Sequence, residues 1–360
     1  MKILYPKISK AIYILTLLLG SCFFYTLYII YACPGILPHS VIMAVGDSYT
    51  YLSEEFESIF ILYNSDGNIN ISGVTSYFGI ILYRNLFYSS QNYLLLIFVA
   101  NSFLFYLASN SFFYSLKKKH IKPYLGYLLI GCNPYVWTIL ICLNKEILAL
   151  SLLSLWYFNE EQNGPFLYTV LSAVALFLVR DVYVFIIFIF YVLVYVKSRF
   201  GVVIILFILS IIIKFIYPAS IVNSEDSGQS MGLYFEFLNI LTMSGYHVFS
   251  FLIKTIVSTL AVNSLIYKGI YYEELFNIYG LTLSIISVIY IYYLYYLIYA
   301  VYKNIYSKAD LFLIAYMFVV SVSPIYNFRM YTPVYMVMLF SMFYPNSISM
   351  KKSNNSTFKL

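Results

Sequence analysis

Charged residues are scarce in this chain of 360 residues. Aspartate, glutamate, lysine and arginine together make up 10% of the sequence, whereas hydrophobic residues make up 62%. Soluble globular domains carry about 25% charged and 45–50% apolar residues. The low charge therefore excludes a soluble globular domain and predicts a chain that lipid solvates along most of its length.

Cysteine and histidine are also rare, with four and three residues. The cysteines are Cys22, Cys33, Cys132 and Cys142, and the histidines are His39, His120 and His247. The cysteines have neither paired spacing nor partnering histidines, and the histidines stand apart from one another. The sequence therefore indicates neither a disulfide framework nor a metal site.

Basic residues follow a pattern in which most form short clusters between apolar runs, and the others stand alone at the opposite ends of those runs. The clusters are Lys2, Lys7 and Lys10; Lys117, Lys118, Lys119 and Lys122; Lys197 and Arg199; Lys303 and Lys308; and Lys351, Lys352 and Lys359. The solitary cations are Arg84, Lys145, Arg180, Lys214, Lys254, Lys268 and Arg329. Small basic groups beside apolar runs are typical of cytoplasmic loops, so the pattern places both termini in the cytoplasm and argues against nucleic-acid binding despite the net charge of +6.

Unbroken apolar runs favour membrane-spanning helices over the alternating pattern of barrel strands. We therefore predict an all-α fold, a polytopic transmembrane helical bundle of about ten to twelve helices, as one integral membrane domain over residues 1–360. Two larger outer regions, at about residues 32–91 and 218–277, interrupt it, and a cytoplasmic tail covers residues 345–360. The predicted segments outside the middle of the chain are Ala11–Tyr31, Val74–Tyr88 (interfacial or re-entrant, with Arg84), Asn92–Tyr114, Phe200–Tyr217, Ile278–Tyr302, Leu311–Tyr326 and Tyr331–Tyr344.

One apolar run in the second outer region is difficult to place. If Val248–Tyr267 spanned the membrane alone, the later helix that ends at Lys303 would finish on the wrong side. A re-entrant arrangement, or a pairing with Met231–Met243, removes this conflict.

The middle of the chain must cross an even number of times, because the cluster ending at Lys122 and the Lys197/Arg199 pair both face the cytoplasm. Polar breaks at Asn144-Lys145-Glu146, at residues 159–164 and at Arg180-Asp181 indicate four crossings, with the first and third breaks outside. Three of the predicted helices, Ile147–Phe158, Pro165–Val179 and Val182–Val196, reach only about 18–22 Å, against roughly 30 Å of hydrocarbon. Their outer ends should lie below the outer surface, where charged groups are functional candidates.

Acidic residues gather on the same face as the solitary cations, since all except Glu160, Glu161 and Asp310 are assigned to the outer side. This favours an outward-facing catalytic or binding chamber over a transporter, whose charges lie nearer the bilayer midplane. Transfer from a lipid-linked pyrophosphate sugar fits such a chamber. Arginine or lysine can neutralise the leaving phosphate, and a carboxylate can take the proton of the acceptor hydroxyl.

We predict that Arg180 and Arg329 are catalytic phosphate partners and that Asp47 is the catalytic base, with Glu54 as the second candidate base. The predicted substrate-binding residues are Lys145, Glu146, Asp181, Glu54 and His247. Helix-end effects alone would also account for Lys145 beside Glu146. Snorkelling to the membrane surface alone would account for Arg84, Lys214, Lys254 and Lys268.

Four local patterns carry a family resemblance. They are Gly46-Asp47-Ser48-Tyr49, Asn133-Pro134 followed by Asn144-Lys145-Glu146, Arg180 at a helix end, and Asn327-Phe328-Arg329 followed by Pro333. With these, the whole chain resembles bacterial O-antigen polymerases of the Wzy type and, more broadly, GT-C-like glycosyltransferases that use polyprenyl-linked donors. The resemblance implies a protein of the inner membrane that joins repeat units on undecaprenyl pyrophosphate at the periplasmic face.

The resemblance also implies partners and a question about metal. The implied partners are the lipid-linked oligosaccharide, membrane lipids, a chain-length regulator and other O-antigen assembly proteins, without a cofactor. Some related transferases carry Asp-x-Asp or paired acids for a metal, whereas this chain has only Glu54-Glu55-x-Glu57. Metal dependence is therefore left open.

Two alternative functions share much of the pattern. A GT-C glycosyltransferase that moves one sugar from a polyprenyl phosphate would show the same sequence features. A flippase for lipid-linked oligosaccharides would carry more spans in a longer chain, with its cations spread through a central cavity.

Overall fold

The computed structural model describes residues 82–86, 93–121, parts of 126–140, 145–180, 182–196, 198–216, 232–260, 281–303, 305–322 and 328–343. Every regular element in these ranges is helical, which confirms the all-α prediction. The chain divides into two units, and each is described by itself. Unit 1 comprises Met1–Tyr183 and Tyr272–Leu283, and unit 2 comprises Val184–Tyr271 and Ser284–Leu360.

Among its described residues, unit 1 has a short helix at residues 82–86, helical residues within 126–140 and three longer helices. The longer helices are α1 (Tyr93–Lys118, 26 residues), α2 (Lys145–Glu161, 17 residues) and α3 (Phe166–Val179, 14 residues). Within the described part of the chain, one helical stretch, Leu96–Lys118 in α1, is both long and apolar enough to cross a membrane.

The C-terminal ends of α1 and α2 lie together. The Lys119 amine is 3.0 Å from a carboxylate oxygen of Glu161, and the Gln162 side-chain amide donates to the Ser115 hydroxyl over 2.7 Å. The two helices therefore point the same way. Lys119 and the polar turn after α2 therefore lie at the same end of unit 1, and their predicted cytoplasmic location stays a prediction.

The described residues between α1 and α2 run antiparallel to α1. A Cβ placed on Gly126 would lie 3.0 Å from the Phe112 ring and 3.2 Å from the Leu116 side chain, so glycine permits a close approach here. Further along the return segment, the Leu140 carbonyl accepts a hydrogen bond of 2.9 Å from the Asn101 side chain. Residue numbers rise along the segment while those of its partners on α1 fall, which establishes the opposite direction.

A tight turn folds α3 back against α2. Asn163 takes a positive φ of 52°, and the Gly164 N–H donates to the Asn159 carbonyl over 2.8 Å. The Asn159 side chain also donates to the Thr169 hydroxyl across the turn over 2.8 Å. The C-terminal end of α3 therefore returns to the end of unit 1 where α2 begins.

Unit 2 contains the remaining helices. They are α4 (Val182–Tyr195), which leads into the unit, α5 (Arg199–Ile216), α6 (Gly232–Met243), α7 (His247–Leu260), α8 (Leu281–Lys303), α9 (Lys308–Val320), a 3₁₀ helix (Phe328–Val334) and α10 (Tyr335–Phe343). The predicted bounds of α1, α4, α5 and α8 agree with the structure to within about one turn.

Helices α9 and α10 form the centre of unit 2, because nearly all of their residues are buried. The Phe312 ring of α9 meets Phe190 of α4 edge-on at 5.6 Å between centroids. The Phe318 ring, two turns later, meets Phe251 of α7 at 5.5 Å. A helix that is apolar on every side is suited to such a central position.

One buried carboxylate joins four segments at the start of α9. Asp310 accepts hydrogen bonds from the Ser307 N–H over 2.7 Å and from the Ser307 hydroxyl over 2.8 Å, completing a capping box. It also accepts from the Tyr293 hydroxyl of α8 over 3.3 Å and from the Ser341 hydroxyl of α10. The carboxylate thus ties α8, the α8–α9 turn, α9 and α10 together.

Helices α6 and α7 form a helical hairpin. Gly245 in the turn takes a φ of 88°, a left-handed conformation that favours glycine, and the Tyr246 N–H donates to the Leu241 carbonyl over 2.9 Å. The predicted pairing of Met231–Met243 with Val248–Tyr267 is therefore confirmed up to residue 260, and the remainder lies outside the described residues.

The helices after α8 differ from the prediction. The predicted span Leu311–Tyr326 is wrong at its end, because α9 stops at Val320. The predicted segment Tyr331–Tyr344 agrees with the apolar helical stretch Tyr331–Phe343. Its first residues belong to the 3₁₀ helix Phe328–Val334, however, and the α-helix starts only at Tyr335. Pro333 explains this start, since proline lacks an N–H and disfavours α-conformation in the residue before it.

Candidate functional site

Lys145 and Glu146 form the first turn of α2, at the opposite end from the Lys119–Glu161 ion pair. Both side chains are half-buried. Because α1 has 26 residues and α2 has 17, and their other ends lie together, α2 begins roughly 13 Å short of the start of α1. The two charged residues therefore lie below the level at which α1 begins. Their predicted depth beneath a membrane surface stays a prediction.

Arg180 lies at the same end of unit 1, between α3 and α4. Its backbone is extended, its N–H donates to the Leu176 carbonyl over 2.9 Å, and its carbonyl accepts from the Tyr183 N–H over 3.1 Å. Arg180 and Glu146 are both within electrostatic reach of the buried Tyr183 hydroxyl. We call Lys145, Glu146, Arg180 and Tyr183 the unit 1 cluster. It combines two cations with a carboxylate.

The short helix at residues 82–86 is bonded to this end of unit 1. The Tyr83 hydroxyl donates to the Asn101 side chain over 2.8 Å, and Asn101 in turn donates to the Leu140 carbonyl, five residues before α2. Arg84 is only 2% exposed, whereas Leu82 and Leu86 on the same helix are exposed. The snorkelling interpretation is therefore wrong for Arg84, whose side chain faces the protein interior.

His247, the first residue of α7, lies in a second polar group within unit 2. Its Nε2 is 2.7 Å from the Phe318 carbonyl and its Nδ1 is 3.2 Å from the hydroxyls of both Thr242 and Ser250. Because a carbonyl only accepts, Nε2 must carry the proton, and Nδ1 of the neutral ring accepts from a hydroxyl. Both ring nitrogens of His247 thus bond within the protein in this structure. The predicted contact of His247 with substrate is not tested by these bonds and stays a prediction.

Lys254 follows His247 by two helical turns and lies on the same face of α7. Its side chain is 0% exposed, and its Nζ donates to the Ser321 carbonyl over 3.0 Å. The snorkelling interpretation is wrong for Lys254 as well. Lys214, by contrast, is exposed near the end of α5, as snorkelling requires, and its side chain lies against the Gly245 turn.

Arg329 belongs to the 3₁₀ helix, where its backbone is described. Two residues later, the buried Tyr331 hydroxyl donates to the Thr255 carbonyl of α7 over 3.1 Å. The Tyr331 ring also packs on Tyr290 of α8, with centroids 5.4 Å apart. The backbone that carries Arg329 is thus held between α7 and α8.

Some predicted site residues are not placed by the structure. Asp47, Glu54 and Asp181 lie outside the described residues, and so does the Arg329 side chain. Their predicted roles stay predictions. Among the residues that are described, no three histidine, cysteine or acidic side chains come together as metal ligands.

Sequence reasoning missed several residues of these two groups. Asn101 carries a detectable signal, because a lone amide in the middle of an apolar span requires a partner inside the protein. Tyr83, Tyr183 and Tyr331 carry none, because 42 tyrosines are spread through the chain and nothing local separates these three from the others.

Comparisons with known proteins add no assignment to this geometry. No family model, curated protein or solved structure matches the chain.

Proposed function

We propose that the chain is a polytopic helical protein of the bacterial inner membrane. The described helices support this, because they expose large apolar side chains while Asn101, Lys254 and Asp310 are buried. Exposed residues on α3, α5 and α8 include Leu171, Val174, Ile204, Ile208, Ile211, Tyr295 and Ile298. Apolar faces of this extent are unfavourable in water and suited to lipid.

The proposed orientation puts both termini in the cytoplasm. The Lys119–Glu161 end of unit 1 then faces the cytoplasm, in agreement with the positive-inside rule. The unit 1 cluster is at the other end and opens toward the periplasm.

We further propose that the protein is a repeat-unit polymerase that joins undecaprenyl-pyrophosphate-linked oligosaccharides at the periplasmic face. The observation that carries this proposal is that Glu146 and Arg180, at the end of unit 1 where α2 begins, both lie within electrostatic reach of Tyr183. A cation at that end is suited to a phosphate group attached to a membrane-embedded polyprenyl chain. Arginine binds phosphate through two parallel N–H donors, and lysine acts as a point charge.

The proposed reaction forms one glycosidic bond and breaks one bond to phosphate. A hydroxyl oxygen of the acceptor sugar attacks the anomeric carbon of the donor, and undecaprenyl pyrophosphate leaves with the electron pair of the broken C–O bond. Arg180, Arg329 and Lys145 stabilise the charge on the leaving pyrophosphate. Asp47 takes the proton of the attacking hydroxyl, with Glu54 as the second candidate.

Deletion of the gene tests the proposal in the parent bacterium. A polymerase deletion should reduce the lipopolysaccharide ladder to core bearing a single repeat unit, and a plasmid copy should restore the ladder. Core without any repeat unit would indicate a flippase or a transferase that builds the unit. An unchanged ladder would exclude the proposed polymerase.

A further inference from the structure

Two consecutive residues of α7 bond to the end of α9 and to the 3₁₀ helix that carries the Arg329 backbone. The Lys254 Nζ donates to the carbonyl of Ser321, immediately after α9 ends. The adjacent Thr255 carbonyl accepts from the hydroxyl of Tyr331, two residues after Arg329. The end of α9 and the 3₁₀ helix Phe328–Val334, which carries the Arg329 backbone and is called the Arg329 segment below, are therefore both bonded to α7.

Both anchors are shielded from solvent. Lys254 and Ser321 are each 0% exposed, and Thr255 and Tyr331 are each 1% exposed. A hydrogen bond lost in such a place cannot be replaced by water, so each anchor is costly to break. The anchors therefore restrict the segment more strongly than exposed contacts of the same length would.

The chemistry at the Lys254 end identifies an anchor rather than a binding site for an anion. The last carbonyls of a helix carry partial negative charge, and α7 presents two basic side chains to them. His247 contacts the Phe318 carbonyl at 2.7 Å and the Ser321 hydroxyl at 3.3 Å. The two side chains thus bond to carbonyl groups at the C-terminal end of α9. An anion beside Lys254 would be repelled by the Ser321 carbonyl oxygen, which already accepts a hydrogen bond from the Lys254 Nζ.

We infer that Lys254 and Tyr331 are positioning residues that fix the Arg329 segment against α7. This rests on the proposed function, in which Arg329 stabilises the leaving pyrophosphate. A guanidinium stabilises developing charge only if it is held in place before the reaction, and displacement by about 1 Å can reduce a rate by about a hundredfold. The anchors supply this preorganisation through residues that do not contact substrate.

Tyr331→Phe and Lys254→Met test the inference in purified protein supplied with lipid-linked repeat units. Tyr331→Phe removes one hydroxyl and retains the ring, so we expect a melting temperature lower by only a few degrees. Well below that temperature, kcat should be lower by about tenfold or more, with KM changed less than twofold. Lys254→Met should lower kcat similarly, and Lys254→Arg, which retains a donor, should restore part of it. Tyr306→Phe, at a buried tyrosine beside the other end of α9, is the matched control and should keep wild-type kcat.

A labelling measurement tests the anchoring without relying on activity. In protein whose native cysteines are replaced by serine, a cysteine introduced at Thr332, which is buried in the 3₁₀ helix, is reacted with a maleimide. We expect Tyr331→Phe and Lys254→Met to increase the labelling rate several-fold, and Tyr306→Phe to leave it unchanged. Equal rates in all variants would overturn the anchoring, and faster labelling with an unchanged kcat would overturn the positioning role.

The two measurements also separate this inference from the proposed function. Wild-type protein that releases no undecaprenyl pyrophosphate overturns the proposed polymerase and the catalytic part of the inference. The labelling rates then still decide whether α7 anchors the segment.

Discussion

The Lys119 amine lies 3.0 Å from a carboxylate oxygen of Glu161 and joins the C-terminal ends of α1 and α2. Partly exposed ion pairs of this kind contribute only about 1 kcal/mol or less to stability. The ion pair is informative because it shows that the C-terminal ends of α1 and α2 lie together, so the two helices point the same way. The chain between them must return, which places Lys145 and Glu146 at the other end.

This geometry predicts which positions are labelled from each side of the membrane. In a chain without native cysteines, Asn163→Cys lies in the turn after α2 and Lys145→Cys at the start of α2. We expect an impermeant maleimide to label Lys145→Cys in spheroplasts. Asn163→Cys should react only after the membrane is opened.

Lys117→Cys provides the control for sidedness, because it belongs to the basic cluster at the cytoplasmic end. It should behave like Asn163→Cys. Labelling of positions 145 and 163 from the same side would contradict the proposed four crossings.

Arg180 should be required for polymerisation. Removing a group that stabilises transition-state charge typically lowers the rate by about a hundredfold to a thousandfold, so Arg180→Ala should abolish the ladder at normal protein levels. Arg180→Lys retains the charge without the paired donors and should leave shorter chains. Lys214→Met, at an exposed solitary cation, should keep the full ladder. A full ladder in Arg180→Ala would reduce Arg180 to a structural residue.

Arg329 should be required in the same way, although it belongs to unit 2. Arg329→Ala should abolish the ladder without lowering the amount of protein in the membrane, as measured by immunoblot. If Arg329→Ala lowers the amount of protein in the membrane, loss of the ladder in this variant does not test catalysis. Arg329→Lys then tests the catalytic role. Arg329→Lys with wild-type chain lengths would show that paired donors are not needed.

Asp310 should matter for stability and not for chemistry. Asp310→Ala removes the acceptor of the Tyr293 and Ser341 hydroxyls and one half of the capping box. Each buried bond left unmade costs about 1–3 kcal/mol, so the melting temperature in detergent should fall by on the order of 5 °C. Lys303→Ala, at an exposed residue of the neighbouring helix, should melt as the wild type does, and equal melting of both variants would contradict the structural role.

Much of the fold can be predicted because apolar runs and basic clusters act locally. Helix α5 was predicted as Phe200–Tyr217 and extends over Arg199–Ile216. The pairing of α6 with α7 followed from the parity of crossings and not from any motif. The 3₁₀ helix before α10 was missed although Pro333 marks it, because the apolar run around the proline masks the break.

The candidate site was harder to predict because its contacts join distant parts of the sequence. The Lys254–Ser321 and Tyr331–Thr255 bonds connect residues separated by 67 and 76 positions. A solitary lysine in an apolar run has the same local signature whether it snorkels, as the exposed Lys214 can, or is buried, as Lys254 is. Only the packing of α7 on α9 separates these outcomes.

The proposed function is tested most directly with purified protein in liposomes and the lipid-linked repeat unit extracted from the deletion strain. We expect the wild type to lengthen the glycan by whole repeat units and to release one undecaprenyl pyrophosphate for each bond formed. Arg180→Ala should do neither. Transfer of a single sugar, or movement of the lipid-linked unit across the bilayer without a new glycosidic bond, would contradict a repeat-unit polymerase.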